Sequence, residues 1–183
     1  MRKILALFTA AVMLLTLQGC LFAAKEAPAQ EGGSAAVALK EDKTLDELVE
    51  QISTELEFPM PGELGAAVTE LLGLKKDDFR DYAGILSMDA GKADTALIIK
   101  AAPGKERKVK EALEARLDDQ RGGLEKVQPA EHEKAKAGQV LERGSYLCLI
   151  IAGTTEFPPE EAMEKARTIL NSYFTPSPEE AAQ

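Results

Sequence analysis

The side chains best suited to chemistry in this 183-residue chain are one histidine, two cysteines and 31 carboxylates. His132 stands in the polar run Ala130-Glu131-His132-Glu133-Lys134. A general base or zinc ligand there needs partners, and zinc sites take several His or Cys ligands. No H-E-x-x-H motif occurs, so His132 is expected on an exposed, solvated turn and no metal is assigned. G-x-S-x-G is absent, and Ser87 and Ser145 have no neighbouring base. Cys148 lies in the apolar run Leu147-Cys148-Leu149-Ile150-Ile151, where burial raises a thiol pKa and makes the sulfur inert. Gly104-Lys105 lacks the flanking residues of a phosphate loop and reads as a helix start. The basic cluster Lys105, Arg107, Lys108 and Lys110 is matched by Glu106, Glu111 and Glu114 at helical pair spacing, which is the pattern of a solvated helix face. Neither Asp77-Asp78 nor Asp118-Asp119 has the spacing of a calcium loop. Asp77-Asp78 reads instead as a helix start ahead of Phe79. Asp89, Asp94 and Glu131 remain as carboxylates for a hydrolase, a use that requires a cleft converging on two of them. No catalytic residue, ligand-binding residue or cofactor is assigned.

The other cysteine sits in a different context. Arg2 and Lys3 precede 14 uncharged, largely apolar residues, and then comes Gln18-Gly19-Cys20. This is the layout of an export signal, and it is short for a spanning helix, which needs about 20 apolar residues. Leu17-Gln18-Gly19-Cys20 resembles a bacterial lipobox, with Gln18 departing from the small or hydroxyl residue usual there. That resemblance implies cleavage between Gly19 and Cys20 and a thioether-linked diacylglycerol on Cys20. Two or more acyl chains, at about 0.8 kcal/mol per buried methylene, anchor stably where one binds reversibly. Lipid on Cys20 would leave Cys148 without a disulfide partner.

Charge narrows the partners. The net charge is −9, and without Arg2 and Lys3 the remainder carries 20 basic and 31 acidic side chains, a net −11. A nucleic-acid partner is excluded by the lack of a basic face to release counterions, and an anionic membrane surface would repel this body. Residues 1–19 are read as signal peptide, and residues 20–42 as lipidated Cys20 followed by an Ala-, Gly-, Pro- and Glu-bearing tether with a reach of about 25 Å. Residues 43–174 make a single domain, and residues 175–183 a frayed tail.

The elements that must position any site are set by periodicity. Thr44 and Glu47 fit a capping box ahead of Leu45, Leu48, Val49, Ile52 and Leu56. A short helical run over residues 63–72 stops near Gly73. Residues 82–88 and 93–101 form one hairpin, and residues 139–142 and 146–152 a second. Between them residues 105–124 form an amphipathic helix with Val109, Leu113, Leu117 and Leu124 on one stripe, followed by another helical turn or two over residues 129–136. Residues 160–174 close the chain as a helix burying Ala162, Met163, Ala166, Ile169, Leu170 and Tyr173. The expected fold is α+β and two-layer, a mainly antiparallel four-stranded sheet of two hairpins in the order α-α-β-β-α-β-β-α, with the long and final helices on one face. Residues 147–151, without a polar member, form its central strand, of the kind covered on both faces.

Taken together, the lipobox, Leu45-Asp46-Glu47-Leu48, residues 74–100 with Tyr82, Ile85-Leu86 and Ala93-Asp94, the helix ending Asp118-Asp119-Gln120, and the strand from Gly144 resemble a family of small bacterial lipoproteins, mostly from Gram-positive anaerobes, carrying domain of unknown function DUF4358. The resemblance spans about residues 45–153 and implies fold, export and anchoring but no activity. The expected function is a non-catalytic module anchored to the cell membrane through lipid on Cys20, on its extracytoplasmic face, binding an envelope protein or small ligand. The alternatives are an envelope hydrolase using carboxylates and an accessory lipoprotein subunit of an envelope assembly or transporter.

Overall fold

The structure is a computed structural model that describes residues 37–89 and 91–176; Cys20 and residues 1–19, read above as a signal peptide ending at Gly19, lie outside the described residues. Helix α1, Leu45–Glu55, opens on the expected capping box. The Glu47 amide donates to Thr44 Oγ1 at 3.2 Å, and the Thr44 amide donates to Glu47 Oε2 at 3.1 Å. Each of these bonds satisfies a helix-end donor that has no partner inside the helix.

The sheet has five strands, where the sequence predicts four. They are β1 (Pro61–Glu63), β2 (Phe79–Ser87), β3 (Thr95–Ala101), β4 (Gln139–Arg143) and β5 (Tyr146–Ile151), in the order β1-β2-β3-β5-β4 with every neighbouring pair antiparallel. The additional strand, β1, is three residues long and begins with a proline, so it has neither the length nor the alternation that marks a strand. It is defined by register alone, with Gly62 opposite Leu86, and its proline is tolerated because it lies at the sheet edge. The run predicted as one helix over residues 63–72 begins in β1, passes through a 3-10 turn at Gly65–Ala67, and becomes helical as α2 at Val68–Leu72, where Gly73 stops it at φ 62°.

A second difference concerns the layers. Helices α3 (Glu106–Leu124) and α5 (Pro159–Tyr173) cover opposite faces of the sheet. Val109, Leu113, Leu117 and Leu124 of α3 pack with Leu97, Ile99, Leu147, Leu149 and Ile151. The six predicted residues of α5 pack, together with α1, against Ala96, Ile98, Cys148 and Ile150. Alternate strand residues point to opposite faces, and both sets are apolar, so one layer of helices is not enough. Helix α4, Pro129–Ala137, is longer than expected and takes its place beside α3.

Two local differences lie where elements join. Asp78 closes a 3-10 turn at Lys76–Asp78 and leads into strand β2, where the sequence predicts a helix. Its Oδ2 accepts from the Lys75 amide at 2.8 Å and from Lys108 Nζ at 2.5 Å, which ties the start of β2 to α3. Residues 37–40, expected in the tether, and Thr175, expected in the tail, are hydrogen-bonded to each other's neighbourhood. Lys40 N donates to the Tyr173 carbonyl, Thr175 N donates to the Ala38 carbonyl, and Leu39 bridges Phe174. Val37 and Leu39 are half-buried against the core, so the packed domain includes chain ahead of Thr44.

Cys148 is wholly buried and free, and burial pushes its thiol up to about 12. In a chain begun at residue 21 it is the one thiol. A maleimide at mildly alkaline pH should leave the folded protein unmodified and label it at the rate of unfolding in denaturant, as read by mass. Fast labelling without denaturant would contradict this packing.

Candidate functional site

Helix α4 carries almost no apolar surface of its own. Its inward positions are Glu131, Lys134 and Ala135, all buried. Glu131 and Lys134 stand three apart and therefore share a face. That face meets Lys92, Ala93 and Asp94, where the β2–β3 connection enters β3. The Glu131 carboxylate collects three donors: the Ala93 amide at 2.9 Å on Oε2, Lys134 Nζ at 3.0 Å on the same oxygen, and Lys92 Nζ at 3.1 Å on Oε1. Lys134 Nζ also donates to Asp94 Oδ2 at 2.8 Å. The Asp94 side chain is fully buried, and its Oδ1 has no partner among the described residues.

These environments push two neighbouring carboxyls in opposite directions. Burial raises Asp94 above the ordinary carboxylate value, outweighing the hydrogen bond and charge of Lys134. Burial also pushes Glu131 upward, but there the Ala93 amide and the two lysines prevail and hold it below the ordinary value. Lys92 rises above its usual value through its hydrogen bond to Glu131. The network is electrically balanced, with two carboxylates against two ammonium groups. A buried charge is tolerated when it is paired and hydrogen-bonded, and removing one partner strands the rest.

The network forms one wall of a cleft of about 560 Å³ whose other walls include Pro59, Thr154 and Pro159. Lys92 and Lys134 reach this cleft, with side-chain exposures of 38% and 9%. Another cleft, of about 470 Å³, separates α1 from β1 and β2 and is lined by Asp46, Glu50 and Glu63. None of these acids is engaged by a cation among the described residues, so the chemically organised site is the first.

Of the predicted carboxylates, Asp94 and Glu131 come together around Lys134, whereas Asp89 does not join them. Asp89 Oδ1 accepts from the Gly91 amide at 3.0 Å and shapes the turn. His132 lies on α4, half-buried, with Nδ1 2.9 Å from the Arg121 carbonyl oxygen, and so corrects the expectation of a solvated turn. Ser87 is buried and donates to the Pro59 carbonyl at 2.6 Å, while the Ser145 carbonyl accepts from the Ala101 amide at 2.8 Å. Neither serine is placed as a nucleophile. Gly104 at φ 75° leads into α3, as its helix-start reading requires. The basic cluster is largely the solvated face expected: Arg107 pairs with Glu111 at 2.8 Å, and Lys110 bonds to Glu142. Lys108 departs from it by reaching the buried Asp78. Asp118 pairs with the neighbouring Arg121. Lys92 and Lys134 are site residues that the sequence reading omits. The signal that identifies them is a nine-residue helix without an apolar stripe, which has to pack through its charges.

The profile of the family described as "Domain of unknown function (DUF4358)" matches residues 52–152. The chain belongs to that family. The matched span runs from within α1 to the residue after β5 and contains the whole charged network, so the network is part of the DUF4358 domain itself. Searches of curated proteins and of solved structures found no match. Among the described residues of this DUF4358 protein, no helix is long and apolar enough to cross a membrane, and no group of three or more His, Cys, Asp or Glu side chains is placed to hold a metal.

Breaking this network from one side should be costly. Lys134→Met should lower unfolding free energy by about 3–5 kcal/mol, because it leaves the buried Asp94 and Glu131 carboxylates without the side chain that both face. Glu111→Ala, which breaks an exposed pair, should cost less than about 1 kcal/mol. Urea denaturation of both variants measures the contrast, and equal effects would refute the assignment. The sign of the pH dependence follows from Glu131. Its folded pKa is depressed, so its contribution is complete above the ordinary carboxylate value of 4.5 and is lost as pH falls through the depressed one. Glu131→Gln should flatten that acid limb of the stability curve.

Proposed function

We propose that the protein is a lipid-anchored, extracytoplasmic binding module that takes a partner protein or small ligand at the cleft beside α4 and does not turn it over. The anchor rests on the sequence: a basic start, a short apolar run, and Leu17-Gln18-Gly19-Cys20. The binding reading rests on the saturation of Glu131. A carboxylate that already accepts from an amide and two ammonium groups makes a rigid, charged wall. Its bonds place it to exchange a proton with its own Lys134 and not with a molecule in the cleft. Lys92, with the exposed part of its side chain toward the cleft, is the group that a ligand would meet first.

A second reading is favoured by one observation. The pKa values of Asp94 and Glu131 are pushed in opposite directions around one lysine, and such divergence is the pattern from which acid and base pairs are made. A hydrolase would use that pair, although Asp94 is sealed from solvent.

Three measurements separate these readings. Cys20→Ala should abolish acyl labelling and release the protein from the membrane fraction; persistent labelling would sink the anchor. A thermal-shift screen of envelope metabolites and peptides against the chain begun at residue 21 should yield a stabilising ligand whose effect is lost in Lys92→Ala. Turnover of any substrate in a hydrolase panel, abolished by Glu131→Gln in a folded variant, would replace the binding reading with the enzymatic one.

A further inference from the structure

The side chains of Lys134 and Asp94 are paired under conditions that favour more than an ion pair. Lys134 Nζ sits 2.8 Å from Asp94 Oδ2, and the two side chains are 9% and 0% exposed. A third group, Glu131 Oε2, lies 3.0 Å from the same nitrogen. The pair joins the start of β3 to α4 across 40 positions of sequence. A nucleophilic nitrogen, an acyl carbon and a proton acceptor are thus gathered in one water-poor compartment.

We propose that Lys134 and Asp94 condense within the folded domain to an intramolecular isopeptide bond, with Glu131 carrying the proton. The reaction begins with transfer of one proton from the ammonium to the carboxylate, giving an amine and a carboxylic acid. The Nζ lone pair then attacks Asp94 Cγ, the new N–C bond forms, and Nζ passes a proton to the Glu131 carboxylate. The tetrahedral centre collapses, the Cγ–Oδ2 bond breaks, and Glu131 returns its proton to the departing oxygen. One water leaves, Glu131 is regenerated, and no oxidant, reductant or cofactor is consumed.

Four features favour this course. Holding amine and carboxyl in one place replaces a bimolecular encounter, and well-oriented intramolecular reactions reach effective concentrations of about 10⁵ M or more. Burial disfavours the charged form of Asp94 and so favours the proton transfer with which the reaction begins. Asp94 Oδ1, unpartnered and buried, is costly on a carboxylate and less so as the oxygen of a neutral amide. Finally, the Ala93 amide and Lys92 keep Glu131 ionised and aimed at Nζ, ready to receive the proton, and it remains balanced by Lys92 after Lys134 loses its charge. None of these features depends on what the cleft binds.

The test is the intact mass of the folded chain begun at residue 21. It should be one water lighter than its sequence requires, and a protease digest should contain a branched peptide joining the segments that hold Asp94 and Lys134. Lys134→Met should restore the full mass. Glu131→Gln should slow the condensation about a hundredfold or more, in line with loss of a positioned proton carrier. Full mass in folded wild-type protein overturns the proposal whether or not any variant folds. So does a lost water that maps to a cyclised Asp94-Thr95 bond without a branch. Condensation at the wild-type rate in Glu131→Gln removes Glu131 from the mechanism.

Discussion

In β5 every residue from Tyr146 to Ile151 is buried, and β3 beside it is nearly as apolar on both faces. A strand in this state has no face to give to water, so the chain must supply helices on both sides of the sheet. The rest of the architecture derives from that requirement. Helices α1 and α5 take the face that carries Ile98, Cys148 and Ile150, while α2, α3 and α4 take the face that carries Leu97, Leu149 and Ile151. The two apolar strands lie inside the sheet. The less buried β2 and β4 flank them, and the three-residue β1 ends one edge. A short edge strand with a proline offers little backbone for unwanted pairing.

Covering the second face creates the charged site. Helix α4 has too few apolar side chains to bury against the sheet by hydrophobic contact alone. Only Ala135 on it is a buried hydrophobe. It docks instead by carrying Glu131 and Lys134 into the corner where the β2–β3 connection enters β3, and the Ala93 amide there would otherwise be a buried donor without an acceptor. The same corner receives Lys92 and Asp94 from the adjoining stretch of chain. A local deficit of apolar surface is therefore met by ion pairing, and the charges are held rigidly enough to distinguish one carboxyl from the next.

Much of this is legible in the sequence because periodicity is a local signal. The capping box at Thr44, the α3 stripe from Val109 to Leu124 and all six buried residues of α5 can be read from spacing, as can both hairpins. The apolar run from Leu147 to Ile151 even contains the layer count: a strand covered on both faces is incompatible with helices on one face only, and the strand prevails. What spacing does not carry is set by distant partners. Strand β1 exists through its register with Ile85 and Leu86. Asp78 has the local signature of a helix start because its true partner, Lys108, is 30 positions away. Asp94 and Glu131 stand out as carboxylates in the sequence, but Lys134 looks like half of a surface pair. Only the packing of α4 turns it inward.

The position of the cleft relative to the chain's entry into the domain gives the proposed anchor a geometric meaning. Residues 37–40 enter beside the C-terminal end of α5, held by Tyr173, Phe174 and Thr175. The cleft uses Pro159, the first residue of the same helix. Fifteen residues of α-helix separate the two, a length of about 22 Å. A pull on residue 37 would therefore act at the end of the domain farther from the charged corner, and the paired segments at residues 38–40 and 173–175 would transmit it into α5 without crossing α4.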